Sequence, residues 1–284
     1  MMEAPLTDKK EQLLGKIKAM HSTARHRIAA NPQLPLWPET VRSLPNEVVR
    51  SALFSAANRK KPRVMLRHAE IVVIGDGRMI YTGEELRQDD ETVWLQLIHL
   101  ARSQQLGELI EFTPYSFCKS IKWSISGQNY KHLRDVLTRL QATALQVYSK
   151  RLGEGVSISM IPFFTWHNEE GASLKHWRVR VAQDLVVLFG DIHFTRVEWE
   201  QRLSLPDGLA TWLHGYFASH KTPYPVKIET IRKGAGLSDG SKAELRKTIK
   251  RALESLKTVK FLCSYKITDD LVSIERTKKE SIDF

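Results

Sequence analysis

Residues 112–140 read FTPYSFCKSIKWSISGQNYKHLRDVLTRL, and this stretch decides the fold. Phe112, Phe117, Ile121 and Trp123 are spaced as the apolar side of a short helix, and residues 124–127 form a break. Leu133, Val136, Leu137 and Leu140 then recur at i, i+3, i+4 and i+7, which turns one side of a longer helix inward and Gln128, Lys131, Asp135 and Thr138 outward. Two helices around a tight break predict a helix-turn-helix. Downstream, residues 157–164 and 177–188 read as strands joined across 168–173, the pattern of a wing hairpin.

The same order returns nearer the C-terminus. A helix at 206–219 and a break at 220–225 precede a short helix from Val226, a turn at 234–240 and a helix at 241–257. A hairpin of 261–267 and 271–274 around Asp269 and Asp270 follows. Phe112, Phe117 and Trp123 match Val226, Ile231 and Leu237, while Leu133, Leu137 and Leu140 match Ile249, Leu253 and Leu256. The expected fold is α+β: two tandem winged-helix domains, each a helix-turn-helix plus a β-hairpin wing, with an N-terminal helical arm.

Working outward, residues 8–30 are polar and helix-favouring, with Leu13, Leu14, Ile17 and Met20 as a narrow apolar stripe. Pro32, Pro35, Pro38 and Pro45 each remove a backbone donor and predict an extended linker, so folded structure is expected from Asn46, as the cap of a helix carrying Val49, Ala52 and Leu53. Strand-like residues 71–74 and 79–81 flank a Gly75-Asp76-Gly77 turn, and a helix over 91–103 places Val93, Trp94, Leu97, Ile98 and Ala101 on one broad face. The expected division is 1–45 arm and linker, 46–195 first domain, 196–276 second domain and 277–284 tail.

The chain carries 43 Lys plus Arg against 32 Asp plus Glu, a net charge of +11 over 284 residues, which points to an anionic partner and to nucleic acid before membrane. Leu245, Ile249, Leu253 and Leu256 hold the last long helix inward, so Lys247, Lys250 and Arg251, flanked by Lys242 and Arg246, face out. On the second helix of a helix-turn-helix, such residues reach base edges in the major groove. Gln128, Lys131 and Arg134 are the equivalents in the first domain, where Asp135 would repel phosphate and weaken the anchor. Arg59, Lys60, Lys61 and Arg63 around Pro62, with Arg178 and Arg180 of the wing, are expected to contact the DNA backbone.

Other classes fit poorly. Gly234-Ala235-Gly236 follows a helix rather than a strand, so it lacks the geometry of a dinucleotide loop, and no GxxxxGK[ST] stretch is present. The ten His include no His-x-His or HExxH pair, and Cys118 and Cys263, both among apolar neighbours, read as buried thiols. His99, His193 and His214 read as core or surface histidines, and Trp94, Trp123, Trp199 and Trp212 as core. The expectation is a binding protein with no catalytic residues, metal or cofactor. No apolar run reaches the roughly 18 residues of a membrane span and the N-terminus has no apolar signal core, which predicts a cytoplasmic protein.

The chain also resembles the TrfA family of plasmid replication initiators from about Leu36 to Arg276. The likeness is carried by residues 36–40 (LWPET), 50–54 (RSALF), 81–87 (YTGEELR), 140–144 (LQATA) and 219–225 (SHKTPYP). It implies a protein that binds directly repeated origin sequences called iterons and opens an adjacent AT-rich segment, whose single strands are then a further partner. It also implies recruitment of the host replicative helicase DnaB with DnaA, and a monomer–homodimer equilibrium coupled to copy number control. The family can carry a sliding-clamp peptide of Gln-Leu-x-Leu-Phe form, which Gln33, Leu34, Leu36 and Trp37 resemble, with Trp in place of Phe. A winged-helix transcriptional regulator and a nicking rolling-circle initiator are the alternatives; the second would need a metal pair and a tyrosine nucleophile.

Overall fold

The computed structural model describes residues 33–75, 77–148, 155–189, 193–238 and 240–277; the expected arm at 8–30 and the tail beyond 277 lie outside them. In chain order the elements are β1 (Val41–Pro45), α1 (Asn46–Val49), β2 (Phe54–Ser55), β3 (Met65–Ile71), β4 (Arg78–Glu84), β5 (Leu86–Arg87) and α2 (Gln88–Ala101). There follow β6 (Leu109–Phe112), α3 (Pro114–Ser120), α4 (Gly127–Gln141), β7 (Ala144–Tyr148), β8 (Gly155–Ile158), β9 (Phe163–His167) and β10 (Ser173–Arg180). A 3-10 turn, Gln183–Leu185, leads into α5 (Val186–Phe189), β11 (Phe194–Glu198), α6 (Trp199–Leu203) and α7 (Leu209–Ala218). The chain continues through β12 (Val226–Lys227), α8 (Ile228–Gly234), α9 (Lys242–Thr258), β13 (Leu262–Thr268) and β14 (Leu271–Arg276).

One unit occurs twice. The order strand, helix, helix, hairpin appears as β6-α3-α4-β9-β10 and again as β12-α8-α9-β13-β14. The two sheets have the same topology, β6-β10-β9 and β12-β14-β13, in which the strand before the helices pairs with the second hairpin strand. Leu133, Val136, Leu137 and Leu140 bury one side of α4, and Ile249, Leu253 and Leu256 do the same for α9. Local chemistry sets the helix starts. Thr113 accepts from the Ser116 amide ahead of Pro114 in the first turn of α3, and the Ser126 hydroxyl accepts from the Asn129 amide at α4.

The first apolar core runs from Leu34 to Trp199; the second combines Ala56 with residues from Leu205 to Val272. The stretch expected to be linker is therefore part of the fold. Leu34, Trp37, Val41 and Leu44 are buried, and β1 pairs antiparallel with β11, Val41 opposite Glu198 through to Pro45 opposite Phe194. Prolines break helices but sit freely at strand ends, so the proline count misled. The strand β11 also crosses position 195/196, where the first domain was expected to end.

Three further expectations are corrected. Asn46 caps nothing: Pro45 is the N-cap of α1, the Asn46 side-chain oxygen accepts from Thr195 Oγ1 at 2.7 Å, and the helix stops before Ala52 and Leu53. Phe112 ends β6 and Trp123 lies beyond α3, which Lys122 terminates with φ of 55°. The hairpin after the two helices is β9–β10; residues 155–158 belong instead to an antiparallel sheet of order β3-β4-β7-β8, and Leu188 lies in α5. Strand alternation gives the face of a strand, not which sheet it joins.

The segment from Ser51 to Ala56 is held against the second core. The Ala56 amide donates to the Ala235 carbonyl at 2.8 Å, and Trp212 Nε1 donates to the Ser51 carbonyl at 3.0 Å. Gly236 has φ of +62°, and a Cβ there would stand 2.9 Å from the Ser55 side chain, so both its conformation and its closeness to β2 require glycine. The guanidinium of Arg202, on α6, is buried and reaches Glu91 of α2 at 2.9 Å.

Candidate nucleic-acid interface

The outer side of α9 is cationic. Lys242, Arg246, Lys247, Lys250 and Arg251 are all exposed, but they are not equivalent. Lys242 pairs with Asp270 at 2.6 Å, while Arg246 donates to the carbonyls of Ile267, at 3.2 Å, and Asp269, so these two fasten the helix to the hairpin turn. Lys247 lies 4.0 Å from Glu244. Among the described residues Lys250 and Arg251 have no ion pair, which leaves their charge open to a ligand. Between α9 and β13 runs a groove of about 790 Å3 that adds Lys257 and Lys266 to the same surface. Sequence reading missed Lys266 because only the folded hairpin brings β13 beside the helix, and it did not single out Lys257, which lies on α9 itself.

In the first unit, Gln128 and Lys131 are exposed near the start of α4. Arg134 is half-buried, with its guanidinium 4.3 Å from the centroid of the Trp166 ring on β9. Arg178 and Arg180 stand exposed on β10, Arg180 lying 5.4 Å over the Phe163 ring. The hairpin thus sets aromatic rings beside cations, Trp166 by Arg134 and Phe163 by Arg180, pairings that helix periodicity alone does not show. Tyr115, Phe163 and Trp166 are the residues that argument overlooked.

The loop cluster splits. Lys60 and Lys61 are exposed, and Arg59 reaches Asp207 at 2.7 Å. Arg63 is not a surface cation: it bonds Asp89 at 3.1 Å and Asp90 at 2.6 Å, and Arg139 of α4 closes on Asp90 from the other side at 2.9 Å. Burial would lower the pKa of Arg63, yet the Asp90 and Asp89 charges raise it. Burial likewise pushes the Asp89 carboxyl up, but the His132 bond and the Arg63 and Arg59 charges outweigh it and hold that group below the usual carboxylate range. Burial and the neighbouring Asp89 charge push Asp90 the other way. The backbone-contact role expected of Arg63 is corrected to neutralisation of the buried start of α2. A cleft of about 1170 Å3 nevertheless brings Arg59 and Lys61 of this loop together with Arg251 of α9.

The clamp-like segment is corrected too. Leu36 is exposed, but Leu34 and Trp37 are 2% and 4% exposed, so the two anchors such a peptide would insert into a partner already fill this protein's own core. Cys118 is buried, and burial pushes its thiol up to about 11; Cys263, expected to be buried, is exposed on β13. Trp94, Trp199 and Trp212 are core, whereas Trp123 is half-buried and stacks on His132. His99 and His214 are buried, and His193 is exposed. Among the described residues no three His, Cys, Asp or Glu side chains are grouped to hold a metal, and no helix is long and apolar enough to cross a membrane.

Compared with known proteins, residues 11–276 match the family model described as TrfA protein. The plasmid replication initiator protein TrfA of Escherichia coli is 37% identical over 242 residues, covering 84% of this chain and 63% of that protein. The chain thus spans less than two thirds of that relative's length. Among solved structures, domains 2 and 3 of RctB, as the selenomethionine derivative, superpose with a TM-score of 0.55 at 12% identity, covering 83% of this chain and 99% of that one. A second structure of the same RctB domains gives 0.53 at 11% identity, with 82% and 97% covered. At such identities the likeness is one of mixed α+β fold.

Proposed function

Because this chain belongs to the TrfA family, we propose that it is a plasmid replication initiator whose two repeated units are winged helices that bind iterons at the plasmid origin. It promotes opening of the adjacent duplex and recruits the host helicase DnaB with DnaA, acting in the cytoplasm as a binding protein without chemistry of its own. The observation that carries this reading is the exposed Lys250 and Arg251, without an ion pair among the described residues, on the outer side of α9, the second helix of a unit present twice. Lys242 and Arg246 orient that helix against its hairpin, while Gln128 and Lys131 of α4 make the weaker second contact. Lys60, Lys61, Arg178 and Arg180 supply sequence-independent attraction to phosphates.

The test is replication in trans. A plasmid carrying only the cognate origin is expected to be maintained in cells that express this chain, and to be lost on its removal. Binding to the repeats without maintenance would instead favour a winged-helix transcriptional regulator.

A further inference from the structure

We infer that the two units are joined stiffly enough to act as a ruler: the protein selects DNA by the separation of the two stretches that α4 and α9 contact. Ile74 and Arg139 are the positioning residues at the two ends of that ruler. At one end, the turn between α8 and α9, which sets the direction of α9, is held from outside its own unit. The Ala235 carbonyl accepts from the Ala56 amide at 2.8 Å, and Gly236 leaves no room for a Cβ beside Ser55. A Cβ on Gly234 would run into the Ile74 side chain. Residues 50–52 and 72–74 brace each other behind this contact, the Ala52 amide donating to the Val72 carbonyl at 2.9 Å and the Ile74 amide to the Arg50 carbonyl at 2.7 Å.

From there a continuous path leads to α4. The strand β2 pairs parallel with β5, Ser55 opposite Arg87, and Ser55 Oγ donates to Glu85 at 2.7 Å. The Arg87 amide donates to Asp90, in the first turn of α2, at 2.7 Å. Asp90 then takes Arg139 at 2.9 Å and Asp89 takes His132 at 3.2 Å, two residues seven positions apart on one side of α4. The covalent connection between the units gives no slack either: Trp199 and Arg202 of α6 are buried, and Arg202 bonds Glu91 on the same helix α2. Packed side chains and hydrogen-bonded networks of this kind couple distant elements and fix both an angle and a distance, whereas units on a flexible linker would follow the DNA. The inference rests on the reading above, in which both α4 and α9 lie against duplex DNA.

One turn of duplex is about 10–10.5 base pairs and 34–36 Å, so two inserted base pairs turn one contacted stretch by about 70° and move it about 7 Å relative to the other. The experiment measures equilibrium binding of the full chain to a duplex carrying its origin repeat, and to the same repeat with two base pairs inserted midway between the two groups of guanines that the bound protein shields from methylation. The unaltered protein is expected to lose about a hundredfold on insertion, the worth of roughly two base pairs' contacts. Ile74→Ala and Arg139→Gln should each cut that penalty to about tenfold or less, while Ile74→Val retains it. A change that merely lowers the folded fraction weakens both duplexes alike and leaves their ratio unaltered, and melting curves of each variant measure that fraction. An insertion that costs the unaltered protein less than about threefold, or a penalty left unchanged in either variant, would overturn the proposal. A chain that binds the repeat no better than a scrambled duplex would sink the reading of α9 as well. Preference for the repeat with indifference to the insertion sinks the ruler alone, so the two readings fail separately.

Discussion

The indole N–H of Trp37 donates to Nδ1 of His99 at 3.0 Å, and the other ring nitrogen of His99 faces a Glu39 carboxylate oxygen at 2.8 Å. The first bond requires an unprotonated Nδ1, so this geometry selects the neutral ring with its proton on Nε2. It also ties the segment expected to be a linker to helix α2, deep in the first core.

A pH dependence follows. Burial lowers the His99 pKa to about 4 against the pull of Glu39. The unfolded chain then takes up a proton near the ordinary histidine value of about 6.5 while the folded one does not. Stability is therefore complete above that value, falls as the pH drops through it, and levels off below about 4. Urea midpoints at pH 7.5 and 5.0 measure this, with the lower value expected at pH 5.0; equal midpoints would refute the neutral buried ring. Trp37→Ala should cost about 3–5 kcal/mol, as for other buried tryptophans.

The pair of Arg202 and Glu91 makes a second prediction. Burial pushes the Glu91 carboxyl up, and the Arg202 charge, the Arg202 hydrogen bond and a weaker one from Gln88 oppose it. Arg202→Met should destabilise the protein by about 3–5 kcal/mol by stranding the carboxylate, while the double variant with Glu91→Met regains much of the loss. Chemical denaturation of both proteins provides the comparison. A double variant no more stable than the single one would show that the pair does not act as a unit.

Within the loop, Lys61 and Arg63 should behave as opposites. Lys60→Ala and Lys61→Ala together are expected to leave stability unchanged and to shallow the salt dependence of duplex binding by about one unit of slope per lysine. Arg63→Ala should lower stability by about 3 kcal/mol, because Asp89 and Asp90 lose their shared partner. Binding isotherms over a salt series, with melting curves of the same proteins, separate these effects.

Much of the fold was legible because helical periodicity records burial directly. Leu133, Val136, Leu137 and Leu140 and their counterparts on α9 lie inward as their spacing requires, and the outward cations of α9 follow from the same geometry. Arg63 was misread because a loop cation looks the same in sequence whether it meets solvent or two buried aspartates. Trp37 was misread because proline neighbours suggested extension, and extension was taken for exposure; β1 and the segment before it are extended and buried. The aromatic side of the first unit was invisible for a different reason: Tyr115 and Trp177 come to line one pocket, and Trp166 comes to lie beside Arg134, only when β9 and β10 fold beside α4.

The central claim is that α9 reads base edges, and it is tested most directly by the double variant Lys250→Ala, Arg251→Ala. Its binding should be titrated against a duplex bearing the direct repeats of its own origin and against a scrambled duplex of the same composition. Loss of two base-edge contacts, at roughly 1–3 kcal/mol each, predicts a fall of about a hundredfold or more for the repeats and a much smaller one for the scrambled duplex. Equal losses on both would mean that Lys250 and Arg251 touch only phosphates, and would contradict the account.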